Sequence, residues 1–341
     1  MTEEWPIAAP AEAAADRPVD GALRRGGRRL ATVATDFFLD PAERLTEQER
    51  ALMTAMLHGL VDTIADELRV RLPDDMAKAC DVAGAALVAE LSHAGLLQSE
   101  PLMSVLLRRA DGSGVAQATG GQGGRALLQQ WAADADGDVA AAAMALILGR
   151  TRAKDRFGRP TLGLGDLPQR EAERLCHGIA AALARRCSGP AEVALADAAQ
   201  ELLRSHSDDQ CLEALEQRLV GALRAAGRLD NELLIVLLEA GAVGLLSQVL
   251  AHLGAIRAED AWDLLLGREE SFALLLRLAS LPRATAATLI GRAESALGLG
   301  DPIAAIERFD AISEVQASAE RRRLALPLPF RQAQERLGRD G

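Results

Sequence analysis

A recurrence in the last third of this 341-residue chain constrains its fold more than any other feature. The segments LDNELLIVLLEAG, IRAEDAWDLLLG and LPRATAATLIG begin at Leu229, Ile256 and Leu281, offset by 27 and 25 residues. Eight and nine places into each lies an apolar pair: Leu237 and Leu238, Leu264 and Leu265, Leu289 and Ile290. A glycine follows in each (Gly241, Gly267, Gly291), and then a second apolar stretch. A unit of short helix, turn and second helix cannot bury its own apolar face, so its neighbours must cover it. The recurrence predicts helical hairpins stacked over 229–318. Asp301–Val315 and Glu320–Leu337 would cap the stack, the latter broken by Pro327 and Pro329, with 319–341 as a capping helix and tail.

Composition agrees. Hydrophobic residues make up 49% of the chain but aromatic residues only 3%, with no tyrosine, so Leu and Ala dominate the apolar content. Those residues favour helices, whereas strands favour β-branched and aromatic side chains. No stretch alternates with period two. The expected fold class is all-α, an α-solenoid of stacked hairpins.

Upstream, residues 1–20 lack periodicity and read as a disordered tail, and 21–110 as an N-terminal helical segment. Thr46-Glu47-Gln48-Glu49 is a capping box, in which Thr46 accepts from the Glu49 amide and Glu49 reaches back to the Thr46 amide. Met53, Met56, Leu57, Leu60, Val61, Ile64 and Leu68 follow at helical spacing. Pro73 ends that helix. Asp74 or Asp75 can start a second, running to Gly95 with Cys80, Gly84, Leu87, Val88 and Leu91 on one side. Pro101–Arg109 reads as a third. The run DGSGVAQATGGQGGR, 111–125, holds six glycines. It has no lysine after its glycines and no preceding strand, so it is no phosphate loop and reads as a flexible connection.

Residues 126–228 read as middle hairpins. Val139–Gly149 is Ala-rich and apolar nearly all round, which predicts burial on most sides. Asp166 can cap a helix with stripe Leu175, Cys176, Ile179 and Leu183. Further stripes are Val193, Ala196, Ala199 and Leu203, then Leu212, Leu215, Leu219 and Leu223 behind Ser207.

Several of these segments carry a resemblance: RLTEQERALMTAMLHGLV from Arg44, AAAAMALILGRTRAKDRFGRPTL from Ala140, DLPQREAERL from Asp166 and LDNELLIVLLEAGAVGLLSQVLAHLGAI from Leu229. Together they resemble an alphaproteobacterial family of helical-repeat proteins catalogued as a domain of unknown function, number 2336. The resemblance spans about Thr35 to Ala311 and implies a HEAT-like solenoid. It supplies no activity and no catalytic residues.

Charge and motifs narrow the function class. The formal net charge of −11 opposes nucleic-acid binding, and few aromatics are present to stack on bases. No segment approaches the roughly 20 apolar residues of a membrane span, and no signal segment is visible. Cys80, Cys176, Cys187 and Cys211 show neither zinc nor disulfide-scaffold spacing and read as small hydrophobes in a reducing cytoplasm. No GxSxG or HExxH occurs, so no catalytic residue, metal or cofactor is expected.

One constellation stands out. Arg150, Arg152, Lys154, Arg156 and Arg159 place five cations in ten residues against one acid, Asp155. They follow a helix end, where cations offset the dipole, or they form a docking point for an acidic protein partner or an anionic ligand. Phe157 beside them could anchor a contact or fold back onto the core. His58, with Thr54 and Asp62 four residues either side, suggests a second, weaker reading as a phosphoacceptor in a signalling relay. The function expected is a non-catalytic interaction scaffold.

Overall fold

The computed structural model describes residues 45–80, 82–120, 123–187, 191–267, 269–297 and 301–337. The expected tail over 1–20 and the segment up to Arg44 lie outside them. Among the described residues the fold is all-α. There are seventeen α-helices and two short 3-10 turns, Leu164–Asp166 and Asp208–Gln210, and the one β-feature is an isolated bridge between Lys154 and Pro160. No described helix is long and apolar enough to cross a membrane. The chain divides into two compact units between Leu245 and Leu246.

The first unit contains α1 (Glu47–Val70), α2 (Asp74–Ala79), α3 (Gly84–His93), α4 (Glu100–Ala118), α5 (Gly123–Ala132), α6 (Gly137–Arg152), α7 (Gln169–Arg186), α8 (Glu192–Arg204), α9 (Leu212–Ala225) and α10 (Asn231–Glu239). The capping box forms as read: the Glu49 amide donates to Thr46 Oγ1 at 3.2 Å, and the Thr46 amide donates to Glu49 Oε2 at 3.0 Å. All seven stripe residues of α1 are buried, each contributing about 1.5–3 kcal/mol of transfer free energy. They are covered by α3, α4, α7 and α8, so helices about a hundred residues apart in sequence close on α1 and share one core with it. Beside this bundle, α6 packs on α5 and α9. A Cβ on Gly149 would lie 2.4 Å from Leu215 Cδ1, so any larger residue would have to displace Leu215 to keep that close approach of α6 to α9.

The second unit holds α12 (Ala258–Leu265), α13 (Glu269–Leu278), α14 (Arg283–Leu297), α15 (Pro302–Ala311), α16 (Glu314–Leu324) and α17 (Leu328–Leu337); α11 (Val243–Gly254) runs across the division. At its centre α13 packs against α12, α14, α15 and α16, and Phe272 to Leu276 are all buried. The six residues of the repeated pairs are buried as expected. The helices carrying them start at Asn231, Ala258 and Arg283, at the spacing of the sequence recurrence.

Several local expectations fail, each for a physical reason. The glycine-rich run is not a connection through most of its length: α4 continues through Asp111–Ala118, because Asp111 is buried and Val115 and Gln117 prolong the helix. The helix expected from Asp74 to Gly95 breaks after Ala79, where Cys80 is bonded to Cys187. Asp166 does not cap α7; it binds Arg109, and the Gln169 amide donates instead to Asp208 Oδ1 at 3.0 Å. In α8 the stripe is rotated. Val193 is 76% exposed, and Leu195, Ala198, Ala199 and Leu202 are buried, because that arc holds two leucines. In the third repeat Gly291 sits inside α14 rather than at a turn. After Asp301 the chain forms three helices rather than two, since a Ser313/Gln316 capping box restarts it.

The cysteines depart from the expected four free thiols. Cys80 and Cys187 form a disulfide with their Cα atoms 4.6 Å apart, although 107 residues separate them. Linear spacing cannot disclose this pairing; it arises because α7 returns to lie on α3. Burial pushes the Cys176 thiol up to about 11 and also raises that of half-buried Cys211. Alkylation of the native protein near pH 8 should therefore leave Cys80, Cys176 and Cys187 unmodified, Cys211 reacting slowly, while reduction and unfolding should expose all four to mass-spectrometric detection.

Helix ends in the second unit show a further regularity. Ala255 after α11 and Ser280 after α13 hold φ at 50° and 54°, and the Ile256 and Leu281 amides close back to Ala251 and Leu276 carbonyls at 3.0 and 3.3 Å. These are glycine-type C-caps occupied by residues with a Cβ. Ala255→Gly should raise stability by about 0.5–1 kcal/mol in urea unfolding, as the left-handed strain is relieved.

Candidate functional site

The site grows from the end of α6. Asp136 caps its N-terminus, accepting from the Asp138 amide at 2.9 Å and the Val139 amide at 3.3 Å. The helix runs on to Arg152, and Ala153 closes it by donating to Gly149 O at 3.0 Å. Arg150 and Arg152 thus occupy the last turn, where cations offset the dipole.

A tight hairpin follows. The Asp155 amide donates to Arg159 O and the Gly158 amide to Asp155 O, both at 2.9 Å, with Gly158 at φ 78°. Asp155 Oδ1 accepts the Phe157 and Arg159 amides, both at 2.8 Å. The only acid of the hairpin thereby has Oδ1 taken up by backbone donors. Thr161 N closes the base by donating to Ala153 O at 2.9 Å. The returning limb is rooted in the bundle core by buried Leu162, Leu164 and Leu167, and by Arg109, which donates to Thr161 O at 3.3 Å and to Asp166 at 2.9 Å.

The side chains at the tip point into solvent. Phe157 is 69% exposed, so it does not fold back onto the core. The Arg156 guanidinium lies 4.7 Å from its ring centroid and that of Arg159 lies 5.9 Å away. These stacked contacts hold the two cations against the ring at about 0.5–1 kcal/mol each. Arg152 and Lys154 are exposed too. None of Arg152, Lys154, Arg156 and Arg159 forms an ion pair with a described residue; Arg152 only approaches Gln210 Oε1 at 3.5 Å.

Arg150 differs from its four neighbours. Its Nη2 donates to Glu216 Oε1 of α9 at 3.0 Å, beside the pairs of Arg109 with Asp166 and Arg108 with Glu213. Burial raises the Glu216 carboxyl above the ordinary carboxylate range, and the Arg150 guanidinium pulls it back. Arg150 is committed to the fold, which removes it from the docking set read from sequence. Glu216 was missed there because it lies among ordinary charged residues of α9; only the tertiary packing of α6 on α9 makes it a buried partner.

His58, the candidate phosphoacceptor, is half-buried on α1. No described residue hydrogen-bonds or ion-pairs with its ring. The two flanking residues are engaged elsewhere: Thr54 donates to Arg50 O at 2.8 Å, and the Asp62 carboxylate lies against Gly84 of α3. No group of three or more metal-binding side chains occurs among the described residues.

Alanine at Arg150 should cost about 3 kcal/mol in unfolding free energy, because it strands a buried carboxylate. Alanine at Arg156 or Arg159 should stay within about 1 kcal/mol, the size of the lost ring contact, which denaturant titration of the three variants would check.

In comparison with known proteins, residues 102–325 match the family described as an uncharacterised protein conserved in bacteria (DUF2336). No curated protein and no solved structure matches the chain.

Proposed function

The chain belongs to this bacterial family, and from that premise we propose that it is a non-catalytic helical-repeat adaptor whose basic hairpin docks an acidic protein partner. The observation that carries this reading is the set of four exposed cations around exposed Phe157, none in an ion pair with a described residue. They stand on a chain of formal net charge −11, so the hairpin reverses the sign of the field locally. A basic feature on an acidic body steers an acidic protein toward one place and repels it elsewhere. It does not suit nucleic acid, whose phosphates would meet the negative remainder. Phe157 adds an aromatic anchor of the type that concentrates binding energy at interfaces.

We extend the reading to architecture. The recurrence at 27 and 25 residues and the matching helix starts support a HEAT-like stack over 229–318, a surface type that serves protein partners. The reading assigns no catalytic residue, metal or cofactor.

Co-purification of the tagged full-length chain from cells that make it tests the proposal. Wild type should retain an acidic protein that is lost when Arg152, Lys154, Arg156 and Arg159 become Ala, and lost also as salt is raised. An identical set of retained proteins in both would contradict it.

A further inference from the structure

The exposed face of α6 continues the hairpin. Ala-rich sequence had predicted a helix buried on most sides, but only Val139, Ala142, Ala143, Leu146 and Gly149 are buried. Met144 is 47% exposed and Leu148 57%. Exposed Ala141, Met144, Leu148, Thr151 and Arg152 follow at spacings of three and four and line one side of the helix. Met144 and Leu148 are two large apolar side chains about 6 Å apart along the axis, and Arg152 lies about 6 Å further on, at 1.5 Å per residue. The chain then enters the hairpin with Lys154, Arg156, Phe157 and Arg159.

We infer that this face and the hairpin together receive an amphipathic acidic helix of another protein. Its apolar residues, one turn apart, would lie along Met144 and Leu148, and its Asp and Glu side chains would occupy the next turn against the four cations. This inference rests on the docking reading above and names the partner's chemistry. Three observations favour that occupant. The apolar spacing is that of i and i+4 residues on a facing helix, and small Ala141 permits close helix approach. The described residues offer no strand edge for an extended peptide to join beyond the single bridge of Lys154 and Pro160. The exposed cations beyond the apolar pair complement the Asp and Glu of an acidic helix, while Met144 and Leu148 complement its apolar side.

The test uses the full-length protein and a phage-displayed library of random peptides of about 16 residues, enough for about 24 Å of helix. Enriched peptides should carry Leu, Ile, Met or Phe at i and i+4, with Asp or Glu in the adjoining turn. A synthetic peptide of that sequence, followed by fluorescence anisotropy, should bind at least about tenfold more weakly to Leu148→Glu and to Arg156→Glu/Arg159→Glu. Because all three positions are exposed, both variants should keep the wild-type thermal melt, which separates lost binding from lost folding. The inference is overturned by no enrichment, by enriched peptides lacking either feature, or by affinity that ignores either variant. It is equally overturned if Leu148→Glu abolishes self-association of the chain or its flotation with anionic vesicles, for then a second copy or a membrane is the occupant. If hairpin-dependent co-purification persists while the peptides ignore α6, the inference falls and the docking reading stands; if both fail, both fall.

Discussion

Burying a carboxylate is costly unless it is paired, and Glu216 takes its partner from Arg150. Much follows from that requirement. The last turn of α6 is pinned to α9, at a place where Gly149 already brings the two helices together. The chain leaving Arg152 therefore starts from a fixed point. Asp155 then gathers two backbone amides on Oδ1, which closes the hairpin on itself. One acid paired with Arg150 and another holding backbone amides leave four cations with no ion-pair partner among the described residues.

This arrangement explains how a markedly acidic protein presents a basic contact. Surface charges average out over a Debye length of roughly 8–10 Å in physiological salt, so a cluster of four at the end of α6 and in the hairpin is felt locally whatever the total. Arg156 and Arg159 lie against the Phe157 ring at the exposed tip. The ring is exposed between them and offers apolar area at little rotamer cost. The same helix contributes Met144 and Leu148 on its outer side, so apolar and cationic elements adjoin without any further rearrangement of the chain.

Much of the fold was legible in the chain. The Thr46 capping box, the α1 stripe and the paired leucines of the recurrence are local or periodic signals, and each is realised. What the sequence hid depends on long-range packing. The phase of α8 is decided by which arc offers two leucines to the core, not by the arc that looks more regular. The all-round apolar reading misled for α6, whose outer face stays exposed, with Met144 and Leu148 on it. Glycine count overstated the break after Arg109, since glycines within a continuing helix cost only about 1 kcal/mol each against alanine. The Cys80–Cys187 bond and the Arg150–Glu216 pair join residues 107 and 66 positions apart, and no spacing rule announces either. The hairpin was visible as a charge run; which of its cations are free was not.

Residues 153–161 form a built finger rather than a loose basic loop. Residue-resolved amide hydrogen exchange in the free protein measures this directly. The Phe157, Gly158, Arg159 and Thr161 amides, each donating to Asp155 or Ala153, should exchange slowly, while that of Arg156 exchanges freely. Uniformly fast exchange across the segment would contradict the account.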